Sequence, residues 1–338
     1  MAKQRQTNLE ILRIVAMLFV LILHTNMGFS PWPLDDNAIS TDPYYSYSRL
    51  LIEGLAIVCV NVFILLSGWF GISFSYKKLL YLVFQIVFFA LVLLFIPCQH
   101  GEWTFASFWV AISHQYWFIF AYIILFILAP VLNLFSQYAP RQLFEQVLVA
   151  FFCIQTFFSY FGNFEWFTDG MSPIPFIGLY LLARYIRLFQ PSFATLNKYT
   201  DLIIYLSISI AIAVISLALI KWAGTGGRMF NYTNPFVIIA SLYFFLFFSK
   251  LKVRHLTFVN WISCSCLGVY LFHTHPNVIS KYFIGTISQL RSMTDSGAVT
   301  VFMCLLFIIA VFLTGIMADK VYCSLWNLLT GITPRKNR

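Results

Sequence analysis

Two residues in the first apolar stretch, Asn8 to Gly28, have side chains suited to chemistry: Arg13 and, eleven positions later, His24. Their neighbours are mostly Ile, Leu, Val, Met and Phe, so the stretch reads as a membrane span. A charged side chain near mid-bilayer costs on the order of 2.5–3.5 kcal/mol on insertion scales, and such residues are rarely kept without a use. Imidazole is the side chain best suited to moving protons near neutral pH, and membranes seldom need it for packing. Eleven residues is close to three helical turns, roughly 16 Å along the axis. Both side chains therefore share one face, with a cation at one level and a base at another. That layout suits a long anionic molecule held lengthwise.

Further polar groups fall at matching depths. Glu53 lies just inside the outer end of the second apolar segment, level with His24. A carboxylate beside the histidine would fix its tautomer and raise its basicity; at a wet interface it would do neither. Asn61 sits near the middle of that segment and Ser67-Gly68 near its inner end. The ninth segment carries Tyr270-Leu271-Phe272-His273-Thr274-His275-Pro276, which puts His273 at a depth comparable to His24. Two histidines from different helices at one level make a site, whereas each alone is a hydrogen-bonded structural residue, the plainer reading of His275. Arg184 and Arg187, three apart, share a helix face and are able to grip phosphates bidentately or simply to anchor the span. His114, Tyr116 and Trp117 open the fourth segment, as interfacial belt residues or as a platform for stacking a sugar.

The elements that hold these groups follow from composition. The chain has 338 residues, 60% hydrophobic and only 10% charged, with a mean hydropathy of +0.83. A soluble domain carries roughly a quarter charged residues, so this is an all-α, polytopic membrane protein. A bilayer core asks for about 20 apolar residues per helix. Ten segments qualify: 8–28, 50–70, 77–97, 116–137, 143–161, 173–190, 201–222, 234–251, 258–281 and 297–320. The sixth is short and bounded by prolines. With the N-terminus in the cytoplasm, fifteen of the 21 Lys and Arg fall inside and five outside, with Arg13 within a span. That positive-inside bias holds only for an even count, so both termini are expected in the cytoplasm of a multi-pass protein of the cell (inner or plasma) membrane. Lys77-Lys78 and the Lys250, Lys252, Arg254 group read as plain anchors.

The net charge of +9 is thus a topology signal and no sign of nucleic-acid binding. The first segment is too long for a cleaved leader and no small-x-small site follows it. Seven scattered cysteines show neither a disulfide framework nor metal-ligand spacing. The longest outer loops are 29–49 and 98–115, the second carrying His100, Glu102, Trp103 and His114.

Four of these stretches, taken together, resemble the acyltransferase-3 family of membrane acyltransferases. Arg13-x10-His24 is similar to its first-span signature. Val60-Asn61-Val62-Phe63-Ile64-Leu65-Leu66-Ser67-Gly68-Trp69 resembles its "VxxFFxxSGF" segment, Tyr116-Trp117-Phe118-Ile119 its "WFL" stretch, and Leu267-Gly268-Val269-Tyr270-Leu271-Phe272-His273 its "LGxYLxH" stretch. The likeness runs nearly end to end and in order. It implies one transmembrane acyltransferase-like domain over 1–338, with a short basic cytoplasmic tail over 323–338. His24 aligns with the family's catalytic histidine and Arg13 with its paired arginine. Two departures stand out: Lys77-Lys78 replace arginines common in relatives, and no esterase-like domain follows the tenth segment.

The resemblance implies a polysaccharide O-acetyltransferase-like enzyme. An acyl group, commonly acetyl, would pass from cytoplasmic acyl-CoA to a hydroxyl of a cell-surface or exported glycan or its lipid-linked oligosaccharide precursor. His24 would take the hydroxyl proton, oriented by Glu53 or His273, or would carry the acyl group covalently. Arg13, Arg184, Arg187, Asn61 and Ser67 would serve the donor, and His114, Tyr116 and Trp117 the acceptor. Besides membrane lipids, the expected partners are these two substrates; no metal and no permanently bound cofactor is expected. A transporter or flippase for a small anion or lipid-linked sugar also uses intramembrane Arg and His, and an inactive acyltransferase-like partner protein would share every motif.

Overall fold

A computed structural model of the chain describes residues 6–29, 31–97, 105–162 and 166–331. Among them every regular element is helical. Twelve α-helices matter below: α1 (Thr7–Asn26), α2 (Pro43–Ala56), α3 (Cys59–Phe70), α4 (Tyr76–Val92), α5 (Trp117–Tyr138), α6 (Arg141–Gln155), α7 (Pro173–Phe189), α8 (Lys198–Ala223), α9 (Pro235–Ser249), α10 (Thr257–Ser263), α11 (Cys266–His273) and α12 (Gly297–Thr330). Their starts are written in the sequence. Pro43 and Pro235 open α2 and α9, where a missing N–H costs nothing. The side chains of Asp42, Ser75, Asn197, Asn234 and Ser296 accept first-turn backbone N–H groups. Gly224 and Gly331, both at positive φ, end α8 and α12.

Among the described residues, eight helical stretches are long and apolar enough to cross a membrane. The other two segments expected from the sequence take different forms. Segment 173–190 becomes α7, only 17 residues long. Segment 258–281 is broken twice, at Cys264-Ser265 between α10 and α11 and again at Thr274-His275 before Pro276. The segment read as a tail begins inside α12, which runs to Thr330; residues 332–338, like His100, Glu102 and Trp103 of the expected outer loop, lie outside the described residues.

The chain divides into two compact units, 1–30 with 75–117 and 253–338, and 31–74 with 118–252. In the first, α1 packs on α10 and α11, and α11 packs on α12. The buried side of α12 is a single stripe, Thr300, Cys304, Ile308, Phe312, Ile316, Asp319, Tyr322 and Trp326, while Val301, Phe302, Leu305 and Leu306 are exposed, as for a helix with one face to protein and one to lipid. Gly268 of α11 lies against Asp319, and Gly315 of α12 against Val269, so the two backbones approach closely through small residues.

Backbone groups freed by the second break cannot be left to lipid. His275 covers part of the need: its Nε2–H donates to Ala90 O at 3.3 Å, and its Nδ1 accepts from Asn277 N at 3.2 Å. The Asn277 amide donates to Ile96 O at 3.0 Å and Leu93 O at 3.3 Å, closing the end of the α4 segment. His275 is thus a structural residue. In the second unit α8 packs on α9 and α2, and α3 on α7. Gly68 lies so close to the Tyr180 carbonyl that any Cβ would collide with it, which explains the Ser-Gly pair near the end of α3.

Candidate active site

His24, in the last turn of α1, and His273, closing α11, meet at 3.0 Å between His24 Nδ1 and His273 Nε2. Proton positions in the neutral pair follow from the far end. His273 Nδ1 lies 2.7 Å from Val269 O, and a carbonyl only accepts, so Nδ1 carries the proton. His273 Nε2 then has a lone pair, and His24 Nδ1–H donates into it. His24 Nε2 is left unprotonated and hydrogen-bonds to none of the described residues, which is the state of a base ready to take a proton. Burial agrees with the division of labour: His273 is fully buried, His24 only partly.

Local structure holds this geometry. Tyr116 is fully buried, and its hydroxyl donates to Leu271 O at 2.8 Å, bracing α11 beside His273. Phe283 sits against both imidazoles, with ring centroids 6.5 Å from His24, edge to face, and 5.8 Å from His273. It comes from a π-helical turn, Ile279–Ile284, just past the second break. Gly28, one turn beyond His24, abuts Ile287, keeping α1 close to that segment.

Arg13 lies eleven residues below on the unbroken α1. Its Nη1 donates to Glu10 Oε2 at 2.6 Å, and the same oxygen accepts from Ser263 Oγ of α10 at 2.6 Å. Glu10 is buried, while the Arg13 side chain keeps 28% exposure. Neither Glu10 nor Ser263 stood out in the sequence, although the three-residue spacing from Glu10 to Arg13 is a helix-pair signal. Asp319, buried on α12 and accepting from Gln85 Nε2 at 2.6 Å, is a further buried carboxylate in this unit.

Arg184 and Arg187 belong to the second unit, on α7. The Arg187 guanidinium stacks over Trp69 at 4.5 Å, and Arg184 Nη1 passes beside Gly71, whose φ of 73° only glycine adopts without strain. Arg184 Nε and Trp69 Nε1 are buried without partners among the described residues. Ser67 bonds back to Phe63 O at 2.9 Å, and Asn61 donates to Tyr232 O at 3.1 Å. Glu53, buried on α2, is also in this unit, one turn from Arg49.

His273, one of the two residues expected to orient His24, hydrogen-bonds to it; Glu53, the other, belongs to the second unit. Tyr116, expected at a sugar platform, serves instead as an internal brace, because its ring is enclosed and its hydroxyl is engaged. His114 is exposed and bonded to Ser113 Oγ at 2.6 Å; Trp117 is half-buried. Among the described residues no group of three His, Cys, Asp or Glu is placed to hold a metal ion.

Apolar helices long enough to cross a membrane, with a hydrogen-bonded imidazole pair held between α1 and α11, define a membrane-embedded protein. Residues 6–318 match the sequence model of a family described as an acyltransferase domain, so the chain belongs to the acyltransferase-3 family and is a membrane acyltransferase. Neither a curated protein nor a solved structure matches it significantly.

Proposed function

We propose that the enzyme transfers an acyl group, acetyl foremost, from acyl-CoA to a hydroxyl of a surface or exported glycan or its lipid-linked precursor. The observation that supports this reading is the His24–His273 pair, with its outer lone pair open. His24 Nε2 takes the proton as the sugar oxygen attacks the thioester carbonyl. The tetrahedral intermediate collapses, the C–S bond breaks, and the CoA thiolate recovers the proton from His24. Arg13 serves an anionic group of the donor. The charge distribution favours the inner or plasma membrane with both termini cytoplasmic.

The test is acyl-CoA turnover by purified protein with candidate glycans. His24→Ala is expected to lower kcat by about 10²–10⁴-fold, the usual worth of a positioned general base, while CoA still binds. Wild type that neither binds nor consumes acyl-CoA but moves anions or lipid-linked sugar across vesicles would defeat the reading.

A further inference from the structure

We propose that Glu10 and Ser263 are positioning residues for Arg13, fixing its guanidinium to receive the anionic part of the acyl donor; this rests on the acyl-CoA reading above. An arginine side chain has about 2 kcal/mol of rotamer entropy to lose, and a hydrogen-bonding partner sets the direction of its guanidinium. The partner is a single carboxylate oxygen, Glu10 Oε2, which accepts from Arg13 Nη1 and from Ser263 Oγ, each at 2.6 Å. Glu10 is buried, and so is Ser263, 1% exposed at the end of α10 beside the first break. The serine hydroxyl also lies 3.1 Å from Asn260 O; the shorter bond is the one to Glu10.

One guanidinium N–H is therefore engaged, and the other donors of Arg13 hydrogen-bond to none of the described residues. A fork held at one N–H, with its other donors uncommitted, is prepared for an oxyanion. The pairing is net neutral, so Glu10 lowers the raw attraction for phosphate while setting the direction in which the remaining donors face.

Docking of α1 does not depend on Ser263. Leu256 N donates to Thr7 Oγ1 at 3.2 Å, and Cys266 Sγ reaches Arg13 O at 3.7 Å, so the foot of the helix has its own ties to the α10–α11 segment. Removing one hydroxyl should leave the helix seated and loosen only the carboxylate and the arginine it steers.

The experiment measures CoA binding and acyl-CoA turnover by the full-length protein in detergent. Ser263→Ala is expected to weaken CoA binding by about tenfold, the scale of a hydrogen bond to a charged group, with kcat unchanged. Ser263→Thr, which keeps the hydroxyl, restores wild-type binding. In an Arg13→Ala background Ser263→Ala adds no further loss, because its effect passes through the arginine. Loss of kcat with binding intact, or an equal loss without Arg13, overturns the proposal. Wild type that fails to use acyl-CoA overturns the enzyme reading itself; active wild type with unchanged binding in Ser263→Ala overturns this proposal alone.

Discussion

A peptide carbonyl offers lone pairs and no proton, and that asymmetry sets the polarity of the histidine pair. Because Val269 O accepts from His273, each proton along the pair has one place to be, and the open lone pair belongs to His24. ¹⁵N shifts of labelled histidine are expected to show His24 protonated on Nδ1. In His273→Ala that ring loses its acceptor, so it should become a mixture of tautomers and kcat should fall with CoA binding retained. An unchanged Nδ1–H tautomer would remove His273 from the orienting role. The depth of His24 and His273 was legible in the sequence, because both lie on apolar segments whose ends are marked by charge. Their contact was not, since depth leaves rotation about the axis open. Phe283 was illegible for a further reason: a π turn re-aims side chains by an amount that a regular 3.6 period does not encode.

At the scale of elements, position is set by glycines and by breaks. A Cβ on Gly268 would lie 2.5 Å from Asp319 Cβ, so Gly268→Ala has to move α11 off α12. The expected cost is about 1–3 kcal/mol, as for overpacked cores, together with lower kcat, since His273 rides on α11. Gly227→Ala, whose Cβ meets nothing within 4 Å, is the matched control and should be neutral. Thermal unfolding in detergent and turnover compare the two; equal stability and rate would show that α11 tolerates displacement. Most of the helices were legible as apolar runs with caps. The double break in 258–281 was not, because His275 and Asn277 read as polar residues on a continuous span until their bonds to carbonyls at and just past the end of α4 are seen. Pro276 alone did not reveal it, because proline also occupies the first turn of an intact helix.

For the whole molecule, hydropathy carries the membrane class, and the family match over residues 6–318 carries acyl transfer in general. Neither feature brings Glu10 to Ser263 or Arg184 to Gly71, which depend on how helices pack. The end of the histidine pair has one more consequence. A wire for protons needs a group at its far end that both gains and releases one, and Val269 supplies only a peptide oxygen. On the proposed cycle the proton taken from the acceptor returns to the leaving thiol, so chemistry at His24 exchanges no net charge with either side of the bilayer. Acyl transfer in proteoliposomes is therefore expected to run at the same rate with and without an imposed pH gradient, measured at one fixed pH on the donor side. A rate that followed the gradient would mean that His24 discharges through a path other than His273. Without such dependence, the enzyme would keep modifying its acceptor in a de-energised cell for as long as donor lasts.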